Sequence, residues 1–568
     1  MTFIWGRKSP SGRTDYYLRR TAKIEGKSKT VMNIYLGTGD DILDLVRQKR
    51  SVPDDFELVS FRFGTIAAIA DVDSELHFME TVREVTGSVA TAKSTLAYLC
   101  GRSEEPLSKN AMEGWSERSV LPMLMSHIPA LDTKSYGRNM DRLTPGHIDS
   151  ISFSMAQRLI AQGHNPSTVF FDTTNFSTEQ QPRGEAERAL PRTGHAKDHN
   201  RQARLVGLAT AVTETHLPVI HSAFPGNEND SKYFRNSVDS MIDTLGRLGV
   251  KCDDLCFVFD KGMNSENGLG AITRAKAHFV SSLKRNQVSE LLNTKLSDFS
   301  EAYTTENGEQ VLTYRSPMVV MGVDGVVVMA YNKSAEERQR IDYEHAKKRF
   351  TDGCDEIVAS IASSDGRKRR GRPPTVEGTH RKVIALIPEK WRSVFRYKVG
   401  NTIEKAAEGK GAMTLTHWID GKAEKEKVNG FGKTAIFTDR KDWSDERIAR
   451  TYFARSAMEE DYHVLKDTLL FPVMPIYHRL DKRIRAHVFM CVMGLLFYRY
   501  IQWKVEKATG VRVPIGRLAA QLSRIRLGGL ITGDGSGKKV MFKLEQMDRD
   551  ERMLVKALNL ERFVPNKA

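Results

Sequence analysis

Four residues stand at intervals that a helix would turn into one stripe. In DERIARTYFARSAMEEDYHVLKDTL, a run without Gly or Pro, Tyr452 is followed by Arg455, Glu459 and Lys466. At about 100° per residue, Arg455 falls near ~300° from Tyr452, Glu459 near ~340° and Lys466 near ~320°, so the four share a stripe roughly 60° wide. One ligand can then meet a carboxylate, two cations and a phenol. Two further acids close short apolar runs, Asp172 in STVFFDTTNFST and Asp260 in DLCFVFDKG. Carboxylates at strand ends facing a helix can supply the oxygen cluster that a hard ion such as Mg²⁺ prefers, beside water and phosphate oxygens. Each residue alone has a plainer use: an Asp at a strand end forms turns, and a helical Glu pairs with Lys in solvent. Glu459, Glu460 and Asp461 are consecutive, and Glu460 lies about 100° and Asp461 about 200° round the helix from Glu459, so only one can face a given site. Asp439, just after a strand, is a further alternative.

The elements that must hold these groups can be read from their periodicity. Ser167 to Thr178, ARLVGLATAV and LPVIHSAF read as a three-strand meander, KYFRNSVDSMIDTLGRLG as a helix, and Asp254 to Gly262 as a fourth strand. Asp172 and Asp260 thus fall on the first and fourth strands. From about Val288 to Asn429, alternating segments such as VLTYRSPMVVMGVDGVVVMAYN surround a Lys/Arg-rich helical stretch, and the region is expected to be a β-rich insertion. FGKTAIFT then resumes the strand pattern, and Asp442 and Ser444 both offer N-cap oxygens to the helix bearing Tyr452. RIRAHVFMCVMGLLFYRYIQW reads as a core helix. Upstream, DYYLRRTAKI and SKTVMNIYLG suggest a small β-hairpin, and Phe63 to about Gln162 is helical in spacing.

A chain of 568 residues with 28% charged and 40% hydrophobic residues is globular in composition and longer than one core organises. Fibrous, coiled-repeat and wholly disordered classes are excluded. The N-terminus lacks an apolar core with a small-residue cleavage site, and the apolar stretch Val488 to Tyr498 falls short of the roughly 20 residues that span a bilayer, so neither secretion nor a membrane span is expected. Five scattered Cys without zinc spacing read as reduced thiols of a cytosol. With 86 Lys plus Arg against 71 Asp plus Glu, a net charge of +15 and a pI near 9.4, the expected partner is a polyanion such as nucleic acid.

The spacing of Tyr452, Arg455, Glu459 and Lys466 resembles the YREK signature of DDE transposases from bacterial insertion sequences. FDTTNF (Phe171 to Phe176) and VFDKGM (Val258 to Met263) resemble the segments around that family's first and second Asp. GHAKDH (Gly194 to His199), FPGNENDSK (Phe224 to Lys232) and MPIYHRLDKRIRAHVF (Met474 to Phe489) are similar to its intervening and following elements. The resemblance covers about Ser167 to Trp503, extends more weakly to the N-terminal hairpin, and is closest to the branch with a β-rich insertion between the second Asp and the Glu.

The resemblance implies an α/β fold with an RNase H-like catalytic core, interrupted by the β-rich insertion and preceded by the hairpin and the helical region. The expected divisions are 1–60 (hairpin), 61–165 (helical, binding DNA ends), 166–287 and 431–510 (core), 288–430 (insertion) and 511–568 (C-terminal region). It implies that Asp172, Asp260 and Glu459 are catalytic and hold two Mg²⁺ or Mn²⁺ ions, with Asp172 bridging, Asp260 on the first and Glu459 on the second. Of the three consecutive acids, its offsets favour Glu459. Tyr452, Arg455, Lys466 and Lys197 are expected on DNA; the plainer reading puts Tyr452 in the core, with Arg455 and Lys466 paired to acids. Arg370 and Arg372, in RKRRGRPP, resemble the core of an AT-hook for an A·T minor groove, or form a basic loop touching phosphates anywhere. Trp418 and Trp443 could stack on a flipped base, and Trp443 could instead pack where the signature helix begins. His195, His199 and His487 lack metal-ligand spacing. The implied activity is cleavage at the ends of a mobile element and joining of the 3′ ends to target DNA, by a homodimer on double-stranded DNA in the cytoplasm at the nucleoid. An RNase H-fold nuclease without strand transfer and an inactive DNA-binding relative are the alternatives.

Overall fold

The apolar runs that end in the two aspartates become neighbouring strands of one mixed sheet. The computed structural model describes residues 2–8, 14–24, 27–43, 56–178, 190–194, 204–362, 375–402, 412–467, 470, 472–532 and 539–565. The sheet's strands in chain order are β1 (Thr168–Thr178), β2 (Arg192–Thr193), β3 (Arg204–Val212), β4 (Pro218–Pro225), β5 (Cys256–Phe259), β6 (His278–Ser282), β7 (Ser300–Thr304), β8 (Gln310–Val320), β9 (Val323–Asn332) and β10 (Lys433–Thr438). Across the sheet they run β7-β8-β9-β10-β6-β5-β1-β3-β2, with β4 on β3. β1, β3 and β4 form the expected antiparallel meander, β5 is parallel to β1, β6 is parallel to β5, and β10 returns antiparallel. All four residues of β5 are buried, which is why a parallel inner strand reads as an unbroken apolar run.

Helix α1 (Pro145–Ala161) packs on β4. Helix α2 (Asp230–Arg247), capped by Asn229, inserts Phe234 beside Phe171 of β1 and Phe259 of β5, at ring separations of 5.1 and 4.7 Å. All three rings are buried, each contributing about 1.5–3 kcal/mol relative to exposure. This aromatic cluster fixes the residues immediately before Asp172 and Asp260.

The segment expected as a β-rich insertion adds β7, β8 and β9 to the sheet, but it also contains the 30-residue helix α3 (Lys333–Ala362) and a second helix, Val376–Leu386. Tyr343, Ala346, Phe350 and Cys354 are its buried residues, a narrow three- and four-residue stripe that the surrounding charges dilute. The stripe packs on the hairpin Phe395–Thr402 and Ala412–Ile419, with Phe350 and Phe395 stacked at 4.9 Å, giving the insertion its own small core.

After β10 come α4 (Asp445–Ala454), α5 (Ser456–Lys466) and α6 (Asp481–Thr509). Of the two candidate caps, Ser444 is used, its side chain accepting from Arg447 N at 3.2 Å. By length and composition alone α6 could cross a membrane, yet 94% of its most apolar window is buried inside the protein. It is a core helix: Phe489 stacks on His221 of β4, and Arg485 Nη1 donates to Ala223 O at 2.8 Å.

Contacts divide the chain into two compact units, and the division differs from the expected one. Glu75–Pro106 and Thr133–Trp503 form the unit with the large sheet; Met1–Ser74, Leu107–Asp132 and Lys504–Ala568 form the other. The helical stretch 61–165 is therefore not one module. Amphipathic spacing shows that a face is buried, not against what; α1 and the helix Phe78–Thr86 bury theirs within the large unit. In the other unit, strand Phe56–Arg62 pairs with Arg526–Thr532, which pairs with Lys539–Leu544, so boundaries at 60 and 511 cut across one sheet. Buried Asp71 is held there by Lys504 and Arg562. The N-terminal hairpin gains a strand: Thr2–Lys8, Thr14–Ile24 and Lys27–Gly37 form an antiparallel sheet in that order.

Candidate active site

β1 and β5 are parallel with Phe170 opposite Val258, a register that two residues further sets Asp172 beside Asp260. Neighbouring strands lie about 4.8 Å apart and alternate residues share a face, so the two carboxylates come up together. Asp172 Oδ1 accepts from Thr173 N at 2.8 Å. Asp260 Oδ1 accepts from Ser282 Oγ of β6 at 3.0 Å and from Tyr452 Oη at 3.3 Å. Burial by itself would push the Asp260 carboxyl up; the Arg455 charge and the Ser282 hydroxyl outweigh it and hold the group below the usual carboxylate range. Burial also raises the Tyr452 phenol, which stays protonated as a donor.

The helix expected to run unbroken past Tyr452 breaks at Arg455, between α4 and α5. Arg455 N bonds to Tyr452 O at 3.2 Å and Met458 N to Arg455 O at 2.9 Å, a tighter three-residue step that no Gly or Pro marks in the sequence. The stripe survives. Arg455 Nη1 lies 3.4 Å from Asp172 Oδ2 and Nη2 lies 3.5 Å from Glu459 Oε1. Burial disfavours this guanidinium's charge, and the surrounding acids and Tyr452 more than restore it. Lys466 lines the same pocket, its Nζ 6.0 Å from the Phe176 ring.

The alternatives among the acids separate by their partners. Arg499, fully buried on α6, donates from Nε to Asp461 Oδ1 at 2.6 Å and from Nη2 to Glu460 Oε2 at 3.2 Å. Glu459 is left to the pocket. Asp439 accepts from Phe279 N at 3.0 Å and pairs with His278 at 2.7 Å, where β6 begins. That is the opposite end of the parallel strands from Asp260. Tyr462 anchors α5 to the sheet: its hydroxyl donates to Asp172 O at 2.5 Å and lies 2.7 Å from Thr210 Oγ1 on β3.

A pocket of about 420 Å³ is lined by Asp172, Asp260, Arg455, Glu459 and Lys466, together with Asp230 and His463. Tyr452 borders an adjoining pocket that shares Asp260, Arg455 and Glu459. Asp230 was missed by sequence reasoning, because a first-turn Asp of α2 looks like an ordinary partner for the helix dipole. Its sequence signal is only its place in FPGNENDSK. Among the described residues no three His, Cys, Asp or Glu side chains form a closed metal cluster. The expected convergence is therefore on a pocket rather than on an ion-sized shell: like charges repel, and the Arg455 guanidinium stands between Asp172 and Glu459. An all-carboxylate set still suits a hard divalent ion, and Asp172, Asp260, Glu459 and Asp230 could supply its oxygens.

Lys197, His195, His199, Arg370 and Arg372 lie outside the described residues. Trp443 is buried where α4 begins, with the Arg440 and Arg447 guanidiniums 5.0 and 3.9 Å from its ring, and half-exposed Trp418 belongs to the insertion hairpin. Neither lines the pocket. His487 is buried with Nε2 2.9 Å from Val473 O, and all five Cys are free.

Residues 163–496 match the family model described as the transposase DDE domain. No curated protein matches the chain. A match over more than half the length, on the segment whose strands and helix build this acidic pocket, places the chain in the DDE-domain transposase family.

Proposed function

We propose that the protein binds the terminal repeats of its own insertion sequence, cleaves DNA at the element ends and joins the freed 3′ ends to target DNA. The observation that carries this is the shared register of Asp172 and Asp260, with Glu459 brought to the same pocket through Arg455. The arrangement is that of an RNase H-like core, and Tyr452, Arg455, Glu459 and Lys466 serve as its YREK signature. The branch is the one with an insertion between the second Asp and the Glu.

Asp172, Asp260 and Glu459 would hold two Mg²⁺ or Mn²⁺ ions. Such ions, when bound, activate a water or 3′-hydroxyl and stabilise the leaving oxygen of an in-line displacement. The chain's own groups then bind and orient. Arg455 changes partners, releasing the Asp172 and Glu459 carboxylates and donating a bidentate pair to phosphate. Lys466 adds a point charge beside the scissile strand, and the protonated Tyr452 hydroxyl keeps Asp260 oriented. Tyr462 holds α5 at a fixed height over β1. Two copies act together, one at each end of the element.

The test is a labelled duplex carrying the sequences that flank the gene, incubated with protein and Mg²⁺ or Mn²⁺ beside Asp260→Ala. Metal-dependent cutting at the repeat boundary followed by a joined product, with wild type only, is expected. Cutting without joining would make the protein a nuclease. Tight binding without cutting in either metal would make it a regulator, and cutting unaffected by Asp260→Ala would move the active site elsewhere.

A further inference from the structure

The three-stranded N-terminal sheet lies wholly outside the family match, and its composition is one-sided. The first 37 residues hold eight Lys or Arg against Asp15 and Glu25. None of the sheet's described side chains is buried, so it does not serve as a folding core. Its register instead builds an ordered polar face. Phe3 pairs with Arg19 and Arg19 with Asn33; two residues along, Trp5 pairs with Tyr17 and Tyr17 with Tyr35. Alternate residues share a face, so these two cross-strand rows lie side by side.

The rings of Trp5, Tyr17 and Tyr35 follow one another at 5.8 and 5.2 Å. The Arg19 guanidinium lies 3.6 Å over the Trp5 ring, and its Nε donates to Asn33 Oδ1 at 2.9 Å. Stacking and that bond hold the guanidinium in one orientation, while its two Nη nitrogens make no hydrogen bond to a described residue. Fixing a half-buried surface Arg in this way is costly in side-chain entropy, and it is arranged as it would be for a planar acceptor. Arg7, two residues beyond Trp5 and opposite Asp15, is exposed on the same face, while Lys8 and Arg20, one residue off that alternation, are exposed on the other.

We infer that this face is the element that reads the DNA ends, docking in the major groove of a duplex. The inference rests on the transposase reading above and assigns its end recognition to residues 2–37 rather than to the helical stretch 61–165. A major groove about 12 Å wide admits a two-stranded β-ribbon, and the paired strands Thr2–Lys8 and Thr14–Ile24 carry the Trp5–Arg19 stack that would enter it. Arg19, already stacked and forked, presents its Nη pair to guanine O6 and N7, the commonest base-specific contact of an arginine. Arg7, on the edge strand of the same face, meets a phosphate, which adds attraction without sequence information.

The experiment uses the full chain and a duplex with the sequences that flank its gene, beside a scrambled duplex of equal length. Arg19→Ala is expected to weaken binding to the end duplex by at least about tenfold and to leave binding to the scrambled duplex within about twofold. Arg19→Lys, which keeps the charge and loses the fork, should lose the discrimination just as fully. Because a variant can fail through misfolding, the wild-type protein is also photo-crosslinked to a bromodeoxyuridine-substituted end duplex and the attached peptides are mapped. Crosslinks within residues 2–37 are expected; crosslinks confined to 61–165, or found anywhere but within 2–37, would overturn the assignment. If wild type does not bind the end duplex at all, the transposase reading falls. If it binds and Arg19→Ala discriminates equally well, only the sheet's role falls.

Discussion

Two arginines each hold an acid of α5 together with a second carboxylate, and they do it in opposite ways. Arg499, with no exposed side-chain surface, holds Asp461 at 2.6 Å and Glu460 at 3.2 Å, and Asp461 itself is 3% exposed. Arg455, 14% exposed, stands 3.4 Å from Asp172 and 3.5 Å from Glu459, and Glu459 is 68% exposed. In the first cluster the Arg499–Asp461 pair is short and dry, with 44% exposed Glu460 at its rim, so removing one partner of that pair strands a buried charge. The second is long and open to solvent at Glu459, so its carboxylates can exchange the guanidinium for another cation at modest cost. Residues two apart thus serve different ends: Asp461 fastens α5 to α6, while Glu459 stays available to a ligand.

The largest effect that would break this contrast is on activity. Asp172→Ala or Asp260→Ala should lower metal-dependent cleavage by at least about 10²–10³-fold, the scale of losing one group that stabilises transition-state charge, whereas Glu460→Gln should cleave near the wild-type rate. Gel quantification of nicked duplex decides it, and equal losses at Glu459→Gln and Glu460→Gln would merge the two clusters into one. Next is stability. Arg499→Met leaves Asp461 buried without its cation and should cost about 3–5 kcal/mol in denaturant unfolding, while Arg455→Met should unfold close to wild type.

The same contrast shows what the sequence could disclose. Asp172 and Asp260 were legible because each ends an apolar run, and parallel register follows from a meander, a helix and a return strand. The stripe of Tyr452, Arg455, Glu459 and Lys466 was legible because helical spacing is local. The choice among Glu459, Glu460 and Asp461 was not settled by helical spacing alone, since it depends on Arg499, 38 residues beyond Asp461. The break at Arg455 left no mark because neither Gly nor Pro makes it. Asp230 reached the pocket through the packing of α2, with Phe234 against β1 and β5, which no spacing within α2 encodes. Likewise α3 was obscured by its charge, and the pairing of Phe56–Arg62 with Arg526–Thr532 joins segments too distant for any periodicity to connect.

Smaller effects sharpen the comparison within the Arg455 cluster. Arg455→Lys keeps a cation there but loses the fork, and it should slow cleavage by about 10²-fold through misplacement of the phosphate, with DNA affinity largely kept. Single-turnover rates beside binding titrations separate the two quantities. Asp230→Asn, neutralising the carboxylate that only the fold revealed, should slow cleavage by about 10-fold and shift its dependence on Mg²⁺ concentration. An unchanged Mg²⁺ titration would return Asp230 to the helix dipole.

A third arginine–acid pair lies between the two extremes and yields the smallest effect. Arg483 of α6 forks onto Asp141, with Nε and Nη2 each at 2.8 Å, and Lys482 adds a contact at 3.1 Å, but the pair is about one-third exposed. The hydrogen bonds from Arg483 lower the Asp141 carboxyl from 3.8 to about 2. Its folded pKa is therefore below its unfolded one, so as pH falls the unfolded chain takes the proton first. The pair's contribution is fully present above about pH 4 and disappears as pH drops through the folded value near 2. Urea unfolding at stepped pH should show wild type more stable than Asp141→Asn at pH 6 and the gap closing between about pH 4 and 2. Because solvent reaches this pair, 1 M salt should narrow the gap at pH 6, whereas the cost of Arg499→Met should be nearly salt-independent. If both costs respond to salt alike, burial does not separate the arginine clusters, and the exchangeability ascribed to Arg455 loses its physical basis.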